Sequence, residues 1–153
     1  MPPEVTLRPL RDDEYAAWDV EHRRQYARGL VEHADLTPEE AEAKVARDIS
    51  AALPDGLATA GVHVWVVEDE GRRIGTVFFG LRGAEAWLYE ITIDEGERGK
   101  GYGRAAMLAL EEEARRLGHD RLALNVWGGN EVARGLYRSL GYVEQAVQMR
   151  KAL

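Results

Sequence analysis

A glycine-rich octapeptide, Glu97 to Arg104, stands between an apolar run that alternates like a strand and a run with helical spacing. Glycine fills every second position, 99, 101 and 103, so the backbone can turn sharply and approach a ligand closely. Where such a turn opens a helix, the first backbone N–H groups have no partner within the helix and carry the positive end of its dipole. The stretch therefore predicts a phosphate cradle, to which Arg98, Lys100 and Arg104 add positive charge.

The composition favours one ordinary globular domain, residues 1–153. Hydrophobic residues make up 45% of the chain, enough for a normal core. The chain has no cysteine, which excludes disulfides, thiolate nucleophiles and cysteine-based metal sites. The start, Met1–Glu4, lacks the basic and apolar parts of a signal peptide, and the longest uncharged stretch, Gly56–Val67, is too short to cross a bilayer. We expect a cytoplasmic protein without a membrane partner.

The charge balance argues against nucleic acid as a partner. The chain carries 20 basic and 27 acidic side chains, a net charge of −7, whereas nucleic-acid binders are usually basic. Much of the acidic excess lies in the first 60 residues, where it either favours a cationic substrate or forms a solvated helix surface. No metal site is predicted, because the histidines lack the spacing of metal ligands; they are His22, His33, His63 and His119.

The apolar pattern predicts the element order β-α-α-β-β-β-α-β-α-β. A strand at Val5–Pro9 is followed by a helix from Asp12 and by a second helix in which Thr37, Pro38 and Glu40 form a proline-led capping box. Later elements are strands at 62–67, 73–79 and 86–93, a helix at 102–117, a strand at 121–127, a helix at 131–140 and a strand at 142–150. With neither repeat nor linker, this order predicts a single α/β domain with a mixed, mostly antiparallel sheet.

The strand before the glycine turn is predicted to present two different faces. Strict alternation places Trp87, Tyr89, Ile91 and Ile93 on one face. The opposite face then holds Leu88, Glu90 and Thr92.

Two motifs resemble the signatures of the GNAT superfamily of acyl-CoA-dependent N-acetyltransferases. Arg98, Gly101 and Gly103 match Gln/Arg-x-x-Gly-x-Gly/Ala, whereas the spacing fits neither a Rossmann fingerprint nor a P-loop. Downstream, the stretch from Asn130 to Tyr142 matches Asn-x-x-Ala-x-x-Leu-Tyr followed by Gly-Phe/Tyr. With the element order, the resemblance extends over nearly the whole chain.

The resemblance implies how coenzyme A binds. The strand before the turn would carry a bulge and splay from the next strand, pantetheine would pair with its exposed backbone, and the pyrophosphate would rest on the amides of residues 99–104. The cofactor-binding residues implied are Ile91, Thr92, Ile93, Arg98, Gly99, Lys100, Gly101, Tyr102, Gly103, Arg104, Asn130, Ala133 and Tyr137. For Asn130, an N-cap of the helix at 131–140 is an equally good interpretation.

The resemblance also implies two catalytic residues. Tyr137 would protonate the leaving thiolate, because a phenol with a pKa of about 10 can donate to a thiolate whose thiol has a pKa of about 8.5. The alternative for Tyr137 is an aromatic on the buried face of its helix. Glu90 would act as base or water relay for the amine, or instead bind the substrate ammonium or face solvent. Asn125 stands where relatives that acetylate protein amino termini have a Glu, which argues against that branch.

The sequence thus predicts transfer of an acetyl group from acetyl-CoA to a primary amine of a small molecule or peptide, without a metal. Two alternatives stay open: an acyltransferase that uses a longer acyl-CoA, and a catalytically silent acyl-CoA sensor. The acceptor amine is not determined by the motifs. A final strand at a sheet edge is compatible with a homodimer.

Overall fold

A computed structural model describes residues 2–153 as one α/β domain. Its elements are β1 (Thr6–Pro9), α1 (Asp12–Ala34), α2 (Pro38–Ala52), β2 (His63–Asp69), β3 (Arg72–Arg82), β4 (Glu85–Ile93), α3 (Tyr102–Arg116), β5 (Ala123–Leu124) and α4 (Glu131–Ser139). The strands lie in the order β1-β2-β3-β4-β5. Neighbours are antiparallel except β4 and β5, which are parallel. The predicted mixed, mostly antiparallel sheet is confirmed.

The sheet separates two hydrophobic cores. Val64, Val66 and Phe78 point to the face covered by α1 and α2, where they meet Trp18, Leu30 and Ile49 among others. The opposite face is covered by α3 and α4; its buried residues include Trp65, Val77, Phe79, Met107, Leu110 and Tyr137. Alternation along β2 and β3 fills both cores at once, because successive side chains of a strand point to opposite faces.

The two N-terminal helices are fixed at their starts by side-chain caps. The backbone N–H of Thr37 donates to Oε2 of Glu40 at 2.8 Å, and the N–H of Glu40 donates to Oγ1 of Thr37 at 3.2 Å, so the predicted capping box is confirmed. At α1, the N–H of Arg11 donates to Oε1 of Glu14 at 3.0 Å, and Glu14 also accepts from the guanidinium of Arg8 on β1. These contacts tie the first helix to the edge of the sheet.

A β-bulge in β4 changes the predicted faces of that strand. Phe78 lies opposite Glu90, whereas the next residue, Phe79, lies opposite Leu88, so Tyr89 is the extra residue. Tyr89 consequently packs in the core under α1 and α2, whereas Leu88 and Ile91 both belong to the core under α3. The prediction that Tyr89 shares a face with Ile91 and Ile93 is wrong, because the bulge interrupts the alternation.

Two predicted strands are shorter than expected or missing. The strand predicted at 121–127 is reduced to Ala123–Leu124, and the strand predicted at 142–150 is irregular chain. Its apolar side chains Val143, Val147 and Met149 are exposed. A strand forms only where a neighbouring strand can form backbone hydrogen bonds with it. In residues 2–153, β5 is only two residues long and provides no such partner for residues 142–150.

Gly75 on β3 provides a test of this packing. A Cβ there would overlap the backbone carbonyl of Thr92 on β4, and backbone yields less readily than a flexible side chain. We expect Gly75→Ala to lower the free energy of unfolding by at least about 2 kcal/mol in urea denaturation. Gly135→Ala is the matched control, because a Cβ at that helical position meets open space and should leave stability unchanged or raise it by up to about 1 kcal/mol. Equal stability of the two variants would contradict the close approach of β3 and β4.

Candidate active site

A polar cleft of about 650 Å³ lies between α1 and the C-terminal end of β4. Helix α1 contributes Trp18, Glu21, His22, Gln25 and Arg28, β4 contributes Glu90 and Thr92, and the following loop contributes Asp94, Glu95 and Arg98. Trp127, just beyond β5, closes the far side, where it stacks on His33 with ring centroids 5.4 Å apart. The cleft therefore opens at the place where β4 and the chain after β5 separate.

The edge of β4 that faces β5 is open along the cleft. The parallel ladder joins only Trp87 to Ala123 and Leu88 to Leu124. On the side of β3, the N–H of Asp94 donates to the carbonyl of Ile74 at 2.9 Å. Counted back from Asp94, every second residue of β4 therefore forms hydrogen bonds with β3, and the residues between them do not. That alternation points the N–H and C=O groups of Ile91 and Ile93 away from β3 and into the gap. The predicted splay after the bulge is present.

The glycine turn supplies a second group of free donors. Gly99 and Gly101 have φ values of 75° and 87°, which favour glycine, and Gly101 is the N-cap of α3. Between residues 99 and 104, no backbone N–H donates to an acceptor within the described chain. A Cβ at Gly103 would make only an ordinary contact with Leu136 of α4, at 3.4 Å. The turn thus presents unpaired amides at the positive end of a 15-residue helix.

The charged and aromatic side chains of the turn are largely engaged within the protein. Arg98 donates from Nε to the carbonyl of Ile93 at 3.0 Å, and Lys100 pairs with Glu97 at 3.1 Å. Arg104 donates to Ser139 of α4. The hydroxyl of Tyr102 donates to Asp69, so this ring is anchored to the β2–β3 turn. These contacts shape the turn and leave its backbone amides exposed.

Glu90 is the titratable group at the centre of the cleft. Its side chain is 23% exposed, and the hydroxyl of Thr92 lies 2.9 Å from Oε1 of Glu90 and 3.0 Å from Oε1 of Gln25. Burial raises the pKa of Glu90 to about 7, against the lowering effect of the Thr92 hydroxyl; the neighbouring Glu21 raises it further. A carboxyl with this pKa can exchange a proton near neutral pH.

Tyr137 lies on α4, at the opposite face of the sheet from Glu90. The residue is 9% exposed, and its ring meets that of Tyr142 edge-on at 5.8 Å. Its hydroxyl makes no hydrogen bond within residues 2–153. Because every fully buried side-chain polar atom in that range has a hydrogen-bond partner, the hydroxyl of Tyr137 is not fully buried and reaches accessible space. Burial raises its pKa, which keeps the phenol protonated at neutral pH. Tyr137 therefore lies on the buried face of its helix, as one of the two interpretations predicts, and its role as the acid stays a prediction.

Asn130 caps α4, as one of the two interpretations predicts. Its Oδ1 accepts from the backbone N–H of Ala133 at 3.2 Å. Arg134 reaches back to the carbonyl of Gly128 at 2.7 Å and so closes the loop before the helix. Asn130 and Ala133 thereby position the helix that carries Tyr137.

His22 is a residue of the cleft that the sequence analysis did not single out. It is 2% exposed, lies flat against Trp18 with centroids 4.0 Å apart, and contacts Asp19 and Glu90. A signal was available: Asp19, His22 and Arg23 lie three and four residues apart and therefore share a helix face.

Residues 2–153 contain neither a candidate metal cluster nor a helix that could span a membrane. No group of three or more His, Cys, Asp or Glu side chains is arranged to hold a metal ion. No helix in the same range has the length and apolar character needed to cross a membrane.

The parted β4 and β5 strands, with free amides at the start of α3, define a class of α/β proteins. Comparison with known families identifies this class. The model of the Acetyltransferase (GNAT) family matches residues 28–142. The chain belongs to this family. The resemblance seen in the two motifs is thus confirmed.

The relatives extend over the whole chain. It is 30% identical over 154 residues to the uncharacterized N-acetyltransferase YycN of Bacillus subtilis (strain 168), covering 97% of this chain and 99% of YycN. The crystal structure of YycN superposes with a TM-score of 0.91. The uncharacterized N-acetyltransferase YdgE of the same organism is 31% identical and covers 97% and 98% of the two chains.

A more distant structure shares the fold. The aminoglycoside N-acetyltransferase AAC(6')-Iy, solved in complex with CoA, superposes with a TM-score of 0.61 at 15% identity over 100% of this chain and 98% of that chain.

The burial of Glu90 predicts a particular pH dependence of stability. The folded-state pKa of Glu90, about 7, lies above its ordinary value of 4.5. The contribution of Glu90 to the free energy of unfolding is therefore fully present below pH 4.5 and is lost as the pH rises through 7. Glu90→Gln should therefore unfold at a similar urea concentration to the wild type at low pH. At pH 8 we expect the variant to be more stable by about 2 to 3 kcal/mol.

Glu14→Gln is the control of opposite sign. The guanidinium of Arg8 holds the pKa of Glu14 at about 2, so its contribution is present above pH 4.5 and is lost as the pH falls through 2. This variant should lose stability at pH 8. A stability difference between Glu90→Gln and wild type that stays constant with pH would show that Glu90 titrates normally.

Proposed function

We propose that this GNAT-family protein transfers an acetyl group from acetyl-CoA to a primary amine of a small molecule or peptide. The observation that carries the proposal is the continuity of free backbone donors, from the open edge of β4 at Ile91 and Ile93 to the amides of residues 99–104. A CoA thioester has a flexible arm with amide groups, followed by a diphosphate. The open edge of β4 complements the amide groups of the arm, and the backbone amides of residues 99–104 complement the diphosphate. CoA in the related fold of AAC(6')-Iy supports the same ligand class.

The thioester would end where the two sheet faces meet, in the gap between β4 and β5. Pantetheine pairs with the backbone of residues 91–93, and the diphosphate accepts from the amides at the start of α3. The unpaired N–H of Ile93 or Ile91 then stabilises the oxyanion of the tetrahedral intermediate. The cleft under α1 holds the amine on the other side of the gap.

Proton transfer would use Tyr137 on one side of the gap between β4 and β5 and Glu90 on the other side. The neutral amine attacks the thioester carbonyl, the C–N bond forms, and the C–S bond breaks. Tyr137 donates its phenolic proton to the departing thiolate, which leaves as the thiol. The proton that the attacking nitrogen loses on becoming an amide restores the phenol. Glu90 accepts the proton that the substrate ammonium must lose before it can attack, and its pKa of about 7 suits this task near neutral pH.

The amine-dependent release of CoA tests the proposal. Purified protein is incubated with acetyl-CoA and a panel of polyamines, aminoglycosides, amino acids and peptides, and free thiol is followed. We expect release that requires one of these amines. Binding of acetyl-CoA in calorimetry without amine-dependent release would favour the sensor; release only with longer acyl-CoA thioesters would favour the alternative acyltransferase.

Tyr137→Phe separates chemistry from binding in the same assay. The variant keeps the ring that packs under α3 and removes the hydroxyl. We expect kcat to fall by at least about 100-fold while the Kd for acetyl-CoA changes little. Tyr142→Phe is the matched control, because that phenol donates to Glu111 at 3.0 Å. If Tyr137→Phe turns over like the wild type, the phenol is not the acid.

Glu90→Gln tests the assignment of the base. A group that must be ionised to accept a proton makes kcat/KM for the amine fall as the pH drops below its pKa, here about 7. In Glu90→Gln this acidic limb should disappear and the plateau rate should drop. A variant with an unchanged limb would locate the base elsewhere.

A further inference from the structure

Both ring nitrogens of the buried His22 face carboxyl groups. Nε2 lies 3.0 Å from Oδ1 of Asp19, and Nδ1 lies 3.8 Å from Oε2 of Glu90. The ring is clamped from the sides, with Trp18 stacked at 4.0 Å and Phe78 edge-on at 5.8 Å. The imidazole thus stands between the carboxyl group of Glu90, which lines the cleft, and that of Asp19, which lies outside the cleft lining.

The surroundings fix which nitrogen carries the proton. A carboxylate only accepts hydrogen bonds, so Nε2–H donates to Asp19, whose Oδ1 also accepts from Nε of Arg23 at 2.9 Å. Burial lowers the pKa of His22, against the raising effect of Asp19, so the ring is neutral. The lone pair of Nδ1 therefore points at Glu90.

The proposed reaction needs an exit for one proton. A substrate ammonium loses two protons on its way to the amide: one ends on the CoA thiol through Tyr137, and the other must leave the site. A bound amine would cover the side of Glu90 that faces the cleft, whereas the other side faces the buried His22. The proton on Glu90 therefore needs a second route.

We propose that His22 is a positioning and relay residue, and that Glu90, His22 and Asp19 form a proton path from the amine site to the surface of α1. The inference rests on the proposed function. Glu90 takes a proton from the ammonium and donates it to Nδ1, while Nε2–H passes its proton to Asp19. Asp19, a quarter exposed, releases the proton to water. After the product leaves, Nδ1–H gives its proton to water in the open cleft and Nε2 takes one back from water through Asp19, which restores the Nε2–H tautomer.

Closing the path requires only a small movement. The 3.8 Å between Nδ1 and Oε2 must shorten by about 1 Å to form a hydrogen bond. A bound amine that orders the Glu90 carboxyl provides such a movement. Asp19 and Arg23 flank His22 on α1. The other charged groups that line the cleft beside the path are Glu21, Arg28 and Glu32 of α1, Arg73 of β3, and Asp94, Glu95 and Arg98 of the loop.

NMR of the wild-type protein tests the path without any substrate. Two-bond ¹H–¹⁵N spectra report the tautomer of His22 and the state of each ring nitrogen. We expect the Nε2–H tautomer, with a step in the Nδ1 shift between about pH 6 and pH 8 that follows the titration of Glu90. The step should vanish in Glu90→Gln. An Nδ1–H tautomer, or an Nδ1 shift without a step in the wild type, would overturn the proposal.

Kinetics test the relay itself. His22→Gln keeps a donor for Asp19 but cannot pass a proton on, so kcat should fall at least about tenfold with an altered acidic limb, while KM for acetyl-CoA is unchanged. His63→Gln is the matched control, a histidine stacked on Trp65 at 5.0 Å on β2, and it should turn over like the wild type. Urea denaturation shows that both variants fold.

Chemical rescue distinguishes a relay from a structural role. In His22→Ala, free imidazole can fill the space beside Trp18, and we expect it to restore part of the lost kcat in proportion to its neutral form. Full activity of His22→Gln, or a loss that imidazole does not reverse, contradicts the relay while leaving the proposed function intact. Absence of amine-dependent thiol release from the wild type would instead contradict the proposed function. The NMR experiment would still show whether Nδ1 of His22 faces Glu90 as the path requires.

Discussion

The site depends on how β4 meets its two neighbours. On one side a full antiparallel ladder with β3 holds the strand in place, and on the other only two residue pairs join it to β5. Because Ile91 and Ile93 lie beyond the last pair, their backbone groups are free, and a strand with unsatisfied donors and acceptors binds an extended ligand readily. The free amides at the start of α3 continue this line, so one departure from regular pairing creates the whole proposed binding surface.

The bulge at Tyr89 connects that surface to the chemistry. Without it, alternation would pair Tyr89 with Ile91 under α3; with it, Tyr89 joins Phe78 under α1 and its ring stacks there at 4.7 Å. Glu90 then faces the floor of the cleft beside His22, where burial favours its neutral form. Tyr137 stands on the opposite face, so the proposed acid and the proposed base approach the gap from different sides.

Local signals in the sequence predicted local structure well. The Thr37 capping box and the helix predicted at 102–117, observed as Tyr102–Arg116, appear where the pattern indicates, because each depends on residues a few positions apart. The strand predicted at 142–150 is wrong, because that stretch is irregular chain. Strand formation requires a partner that is distant in sequence, and in the described chain β5 is too short to supply one.

By itself the sequence determined the family, the order of the elements as far as α4 and the position of the glycine turn, and it indicated the two residues proposed for catalysis, since motifs and periodicity are local and survive in a linear string. Tertiary structure alone decided the register of β4 against β3, the length of β5, and the meeting of Asp19, His22 and Glu90. The last two of these residues are far apart in the chain, and only the packing of α1 on the bulged strand brings their side chains within 3.8 Å. Burial then sets their protonation, and burial is a property of the folded molecule.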